Sequence, residues 1–226
     1  MTDQGTPLLA DDGRASIATM LMMSHHAFRR DAALFARAVR RLADGSGDAV
    51  ALHEEWKFFR GALHGHHGIE DTQMFPGLCS ANPALSEPLA QLTADHRLID
   101  PLLDKGDEAF AALPGSSEAA GAIVADLASL LVRHLAREEA LIVPHLRAAH
   151  DFPAPSSDEE TEMYAQGFAW SCHGIAPEVL SKVFDLLPAR LTERLPAARA
   201  AFTTRCERVW GGAPQGASRT SVPDWL

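Results

Sequence analysis

The sequence predicts an all-α protein: an antiparallel up-down four-helix bundle with additional C-terminal helices. Three observations carry this. Ala, Leu, Arg and Glu dominate the 226-residue chain, which is 46% hydrophobic, and such residues favour helices. Apolar positions recur at alternating spacings of four and three along four successive stretches, the stripe a bundle helix buries. Clusters of Gly, Pro, Asn and Ser separate those stretches.

The first predicted helix runs from about Arg14 to Leu42. Its stripe is Leu21, His25, Phe28, Ala32, Phe35, Val39 and Leu42, and Asp44-Gly45-Ser46-Gly47 ends it. The second carries Leu52, Trp56, Phe59, Leu63, His66 and Glu70, with Pro76 and then Asn82-Pro83 closing it. The third carries Leu85, Leu89, Leu92, His96, Ile99 and Leu103. Pro101 lies inside it and should remove a backbone hydrogen bond, so a kink is expected near His96. After Pro114-Gly115-Ser116-Ser117, the fourth carries Ile123, Leu127, Leu130, His134, Glu138, Leu141 and His145 and ends near His150.

The domain plan follows. Residues 1–13 read as a flexible N-terminus and 14–150 as the bundle. A Pro- and Ser-rich linker, Asp151 to Asp158, opens a helical extension over 151–211 that packs on the bundle, and 212–226 reads as a flexible tail.

Thirty acidic residues against 20 basic give a net charge of -10. That opposes binding to nucleic acid or to an anionic membrane. No run approaches ~20 consecutive apolar residues, the length of a bilayer span. Met1 to Asp12 lacks the basic region of a secretory signal. Cys79, Cys172 and Cys206 are odd in number and form no CxxC pair, which points away from disulfides and cysteine zinc sites and toward the cytoplasm. The expected assembly is a monomer or homodimer.

Histidine is the anomaly, at 11 residues. Each bundle helix puts one on its stripe: His25, His66, His96 and His134. Glu70 and Glu138 follow His66 and His134 by four residues, one turn along the same face. The heights agree as well. Positions 25 and 66 average 45.5, inside Gly45-Ser46, and 96 and 134 average 115, which is Gly115. Position 68, midway between His66 and Glu70, averages with 96 to 82, which is Asn82. All three midpoints fall on predicted turns, so the six side chains should meet in one layer. Buried without partners, each would cost several kcal/mol. Two metal ions remove that cost, and a set of imidazoles and carboxylates without thiolate suits iron, manganese or zinc.

The strings "SHHAFRRD", "LHGHHGIEDTQMFP", "DHRLID" and "HLAREEALIVP" around these histidines resemble the hemerythrin-like (HHE cation-binding) family over roughly residues 15 to 150. The resemblance implies two iron ions with an oxo or hydroxo bridge that meet dioxygen, hydrogen peroxide or nitric oxide. It points to redox chemistry on peroxide or oxygen, of a catalase-like or oxygen-activating kind. Sensing or binding of oxygen, nitric oxide or iron without turnover is the second reading, and oxygen carriage the third. No catalytic residue is assigned. Oxygen-carrying members have a second histidine on the third helix, where this chain has Asp100. Asp100, Tyr164 or water is expected to fill that position, with water ranked first. His64 and His67 are expected at the surface or behind the ligands. Asp71 and Glu139 should face outward or support the ligands. His145 is expected at the core's edge, and Tyr164 and His173 in ordinary packing.

Overall fold

Helix α1 (Ile17–Ala43) starts where the Ser16 N–H donates to Thr19 Oγ1 at 3.0 Å. It stops where Gly45 takes a left-handed φ of 80° and the Ser46 N–H turns back to the Arg41 carbonyl at 2.8 Å. A residue with a Cβ disfavours that conformation, so the sequence signal and the helix stop share one cause. The computed structural model describes residues 7–152 and 154–211. Among these, every regular element is helical and none is a strand.

Asp48 caps α2 (Ala49–Ile69), accepting from Ala51 N at 2.9 Å. Pro76 does not close this helix, contrary to expectation. A π-turn at Glu70–Met74 carries it directly into α3 (Phe75–Ala81). In that wider turn the Phe75 N–H reaches the Glu70 carbonyl. The i→i−4 ladder is already interrupted there, so the donor that proline lacks does not end the helix. Asn82 ends α3, and its side chain accepts from Ala84 N at 3.3 Å. Leu85 therefore sits in a 3₁₀ turn, Pro83–Leu85, ahead of α4 (Ser86–Ala111) and not within it. Helix α4 runs through Pro101. Helix α5 (Ser117–Leu146) ends four residues before His150. Leaving His145 exposed beyond the core corrects its expected place at the core's edge.

By length and composition α5 could cross a membrane, which a count of consecutive apolar residues does not reveal. It also carries Arg133, Arg137, Glu138 and Glu139, and charges are costly in hydrocarbon.

The chain separates into two compact units. One is Asp31–Leu141. Its apolar centre is an aromatic cluster of Phe35, Trp56, Phe59 and Phe110. Trp56 stacks on Phe110 with ring centroids 4.3 Å apart, and its Nε1–H donates to Asp107 Oδ1 at 2.9 Å.

The other unit comprises the described residues of Met1–Arg30 and Ile142–Leu226. The expected extension folds here as α6 (Asp158–Ser171), α7 (Pro177–Phe184) and α8 (Ala189–Trp210). Ser157 caps α6 by accepting from Glu160 N at 3.1 Å. At its other end, Arg30 Nη1 of α1 donates to the carbonyls of Trp170 and His173 at 3.1 and 3.0 Å. His26 Nε2 donates to the same His173 carbonyl at 3.2 Å. A cation among the last carbonyls of a helix satisfies acceptors that the helix leaves open. Trp170 packs edge-on against Phe28 at 5.0 Å. Leu8 is buried, and the Leu8 and Leu9 carbonyls accept from Thr19 Oγ1 and Arg147 Nη1. The rest of the expected flexible ends, 1–6 and 212–226, lies outside the described residues.

Candidate metal centre

Within Asp31–Leu141, helices α2, α4 and α5 and the π-turn bring six polar side chains together. His67, Glu70, His96 and His134 each offer a ligand atom, all within 4.8 Å of one another, and all four are buried. His66, Glu70 and Glu138 form a second such group that shares Glu70. His66 Nε2 stands 2.8 Å from Glu70 Oε1. His96 Nε2 is 3.5 Å from Glu70 Oε2, and His134 Nε2 is 3.6 Å from Glu138 Oε2. The His67 and His96 rings stack at 4.0 Å, and His134 meets both edge-on.

Five of the six residues expected from the sequence thus converge here. The sixth, His25, lies on α1 in the other unit and is fully buried. His67 corrects its expected place outside the cluster: it is buried and stands among the donors. Its signal was in the spacing. His66 and His67 precede Glu70 by four and three residues, so they flank it one turn earlier.

Asp100 does not turn inward. Its side chain is 51% exposed and lies 3.9 Å from the exposed His64. Asp100 follows the fully buried Ile99 by one residue, a turn of ~100° about the helix axis that carries it off the buried stripe. Tyr164 directs its hydroxyl to Glu160, and its ring meets Phe152 at 6.0 Å. Glu139, expected outward or behind the ligands, is buried. Asp71 supports a histidine: His96 Nδ1 donates to its Oδ2 at 3.0 Å.

Burial sets the electrostatics of the cluster. Burial pushes the Glu70 carboxyl up to about 8, with Glu138 close enough to share a proton. Burial, then the Glu70 charge, raises Glu138 well above the usual carboxylate range. Burial lowers His66 and His96 and takes His134 to about 4. All of these residues therefore favour their neutral forms, which is what charged groups do in an apolar site that lacks counter-charge.

The hemerythrin HHE cation-binding domain matches residues 16–146, more than half of the chain. The chain belongs to this family. No curated protein and no solved structure matches. A hemerythrin-type metal fits the residues present. The donors are imidazole and carboxylate with no thiolate, and Nε2 of both His96 and His134 is buried and makes no hydrogen bond. Two inward lone pairs beside two carboxylates are a cation's requirements.

The pH dependence of the metal-free hemerythrin-like fold follows from these shifts. Glu70, raised to about 8, binds more protons folded than unfolded, so its contribution is complete near pH 4.5 and is lost as pH rises through 8. His134, lowered to about 4, acts oppositely: its contribution is present above 6.5 and is lost as pH falls. The two oppose one another between pH 4.5 and 6.5, and from 6.5 to 8 the raised carboxyls Glu70 and Glu138 set the slope. The urea midpoint of metal-free protein is therefore expected to fall from pH 6.5 to 8.5. Metal-loaded protein, whose carboxylates are already ionised, should hold its midpoint. A metal-free midpoint that rises across that window would contradict the assignment.

Proposed function

We propose that this hemerythrin-family chain binds two iron ions in an antiparallel four-helix bundle and uses them to react with a small oxidant: dioxygen, hydrogen peroxide or nitric oxide. The observation that carries the reading is the pair of overlapping His/Glu groups that share Glu70. His67, His96 and His134 serve one position, His66 and Glu138 the other, and Glu70 both. His25 is the sixth residue expected from the sequence pattern, and its level along α1 supports it. Iron at such a site supplies redox capacity and exchangeable coordination positions. The chain's own contribution is an apolar surround and a route for solvent-borne ligands. His66 is the one member of the six that is not fully buried, so it is the donor through which such a ligand would enter. Manganese and zinc fit the same donors less specifically. A cytoplasmic monomer or homodimer remains the reading from composition.

The test is to titrate the ferric protein with azide and then hydrogen peroxide while recording visible absorption. A saturable charge-transfer band with azide, and consumption of peroxide, are expected. Silence to both at saturating ligand would sink the oxidant reading. A sensor without turnover is the second reading. One observation favours it: His26 and Arg30, beside His25 on α1, hold the C-terminal end of α6. Azide binding without peroxide consumption would select it.

A further inference from the structure

His96 and His134 both turn Nε2 into the cluster, and both turn Nδ1 toward an aspartate outside it. Asp71, next to Glu70 in the π-turn, takes the Nδ1–H of His96 on α4 at 3.0 Å. Its other oxygen accepts from Thr93 Oγ1 at 2.6 Å. Asp95 on α4 takes a looser form of that place toward α5: its Oδ2 is 3.5 Å from His134 Nδ1, close but not hydrogen-bonded. Arg137, one turn from His134 on α5, donates to that same Oδ2 at 2.8 Å, and to Gln91 at 3.3 Å. Each histidine thus faces an aspartate from the helical segment before it, and each aspartate is fixed in turn by a second side chain.

We infer that Asp71 and Asp95 are positioning residues that lock His96 and His134 in the tautomer with the proton on Nδ1 and the lone pair on Nε2. The inference rests on the metal-binding reading above and extends it to four residues outside the donor set: Asp71 with Thr93, and Asp95 with Arg137. An imidazole left alone exchanges its proton between two nitrogens and can rotate. A carboxylate behind Nδ1 removes both freedoms and makes Nε2 a better donor. A purely structural role predicts something else. A half-exposed pair such as Arg137–Asp95 contributes ~1 kcal/mol or less to folding and has no effect on a metal.

Cobalt(II) added to the full-length metal-free protein tests this by affinity, from competition with a chelator, and by the exchangeable, metal-shifted Nδ1–H proton signals of the bound histidines. Asp71→Ala and Asp95→Ala should each weaken cobalt binding ~10–100-fold. Each should also lose one exchangeable signal, that of His96 and His134 respectively. Asp71→Asn and Asp95→Asn keep an accepting oxygen and should keep the signal and recover part of the affinity. Melting of the metal-free variants should stay close to wild type. Two results overturn the inference: alanine variants that bind cobalt as wild type does with both signals intact, or alanine and asparagine variants that lose affinity equally and in step with metal-free stability. If wild-type protein itself takes up no cobalt, the metal-binding reading fails first and takes this inference with it.

Discussion

Replacing Glu70 with alanine is expected to remove both metal ions, whereas Glu138→Ala or His96→Ala should leave one. Glu70 belongs to both donor groups, His96 to one and Glu138 to the other. Wild-type protein loaded with iron should carry two ions per chain, Glu138→Ala and His96→Ala one, and Glu70→Ala none. Stability should follow the count. A ligand present at 100 times its dissociation constant adds ~2.7 kcal/mol per site, so losing two sites should lower the melting temperature by about 10 °C or more. Metal-free Glu70→Ala should not melt below metal-free wild type by a comparable margin, because it deletes a carboxyl that burial already disfavours. Elemental analysis beside calorimetry reads both effects. Equal metal content in Glu70→Ala and Glu138→Ala would refute the sharing of Glu70.

Gly106→Ala should cost ~3 kcal/mol or more with no effect on any donor residue, at the upper end of overpacking penalties. A Cβ on Gly106 would lie 2.0 Å from Trp56 Cζ2 and 2.7 Å from Cη2. The indole has nowhere to go. It is fully buried, stacked on Phe110, met edge-on by Phe35, and tied through Nε1 to Asp107. Asp107 is held in turn by Arg60 Nε at 2.8 Å. Urea unfolding measures the cost, and the double variant Trp56→Phe/Gly106→Ala supplies the control. The smaller ring opens the space that the methyl needs, so the two changes together should cost less than the sum of each alone. Strict additivity would mean that the methyl is accommodated some other way.

Much of this site was legible from spacing. A helix turns a sequence interval into an angle and a height, so His66 with Glu70 and His134 with Glu138 could be placed on one face. Equal distances from the turns could then be read as one layer. The same logic gave the all-helical class, while the family was legible in the strings around the histidines, and the matching domain spans more than half of the chain.

The sequence could not decide matters that depend on which way a face points once the helices are docked. His67 and Asp100 are examples. Each lies within ~100° of a stripe residue, and only packing shows that the first turns in and the second out. The π-turn at Glu70–Met74 is another, because Pro76 reads locally as a stop and only the continuous helix reveals the wider turn that admits it. Gly106 is a third, since nothing along α4 shows that Trp56 of α2 lies against it. Asp71 and Asp95 lie 25 and 39 residues along the chain from the histidines they face, His96 and His134. Periodicity along one helix determines what that helix offers. Contacts across helices depend on docking angle and side-chain rotamer, which no interval in the sequence encodes.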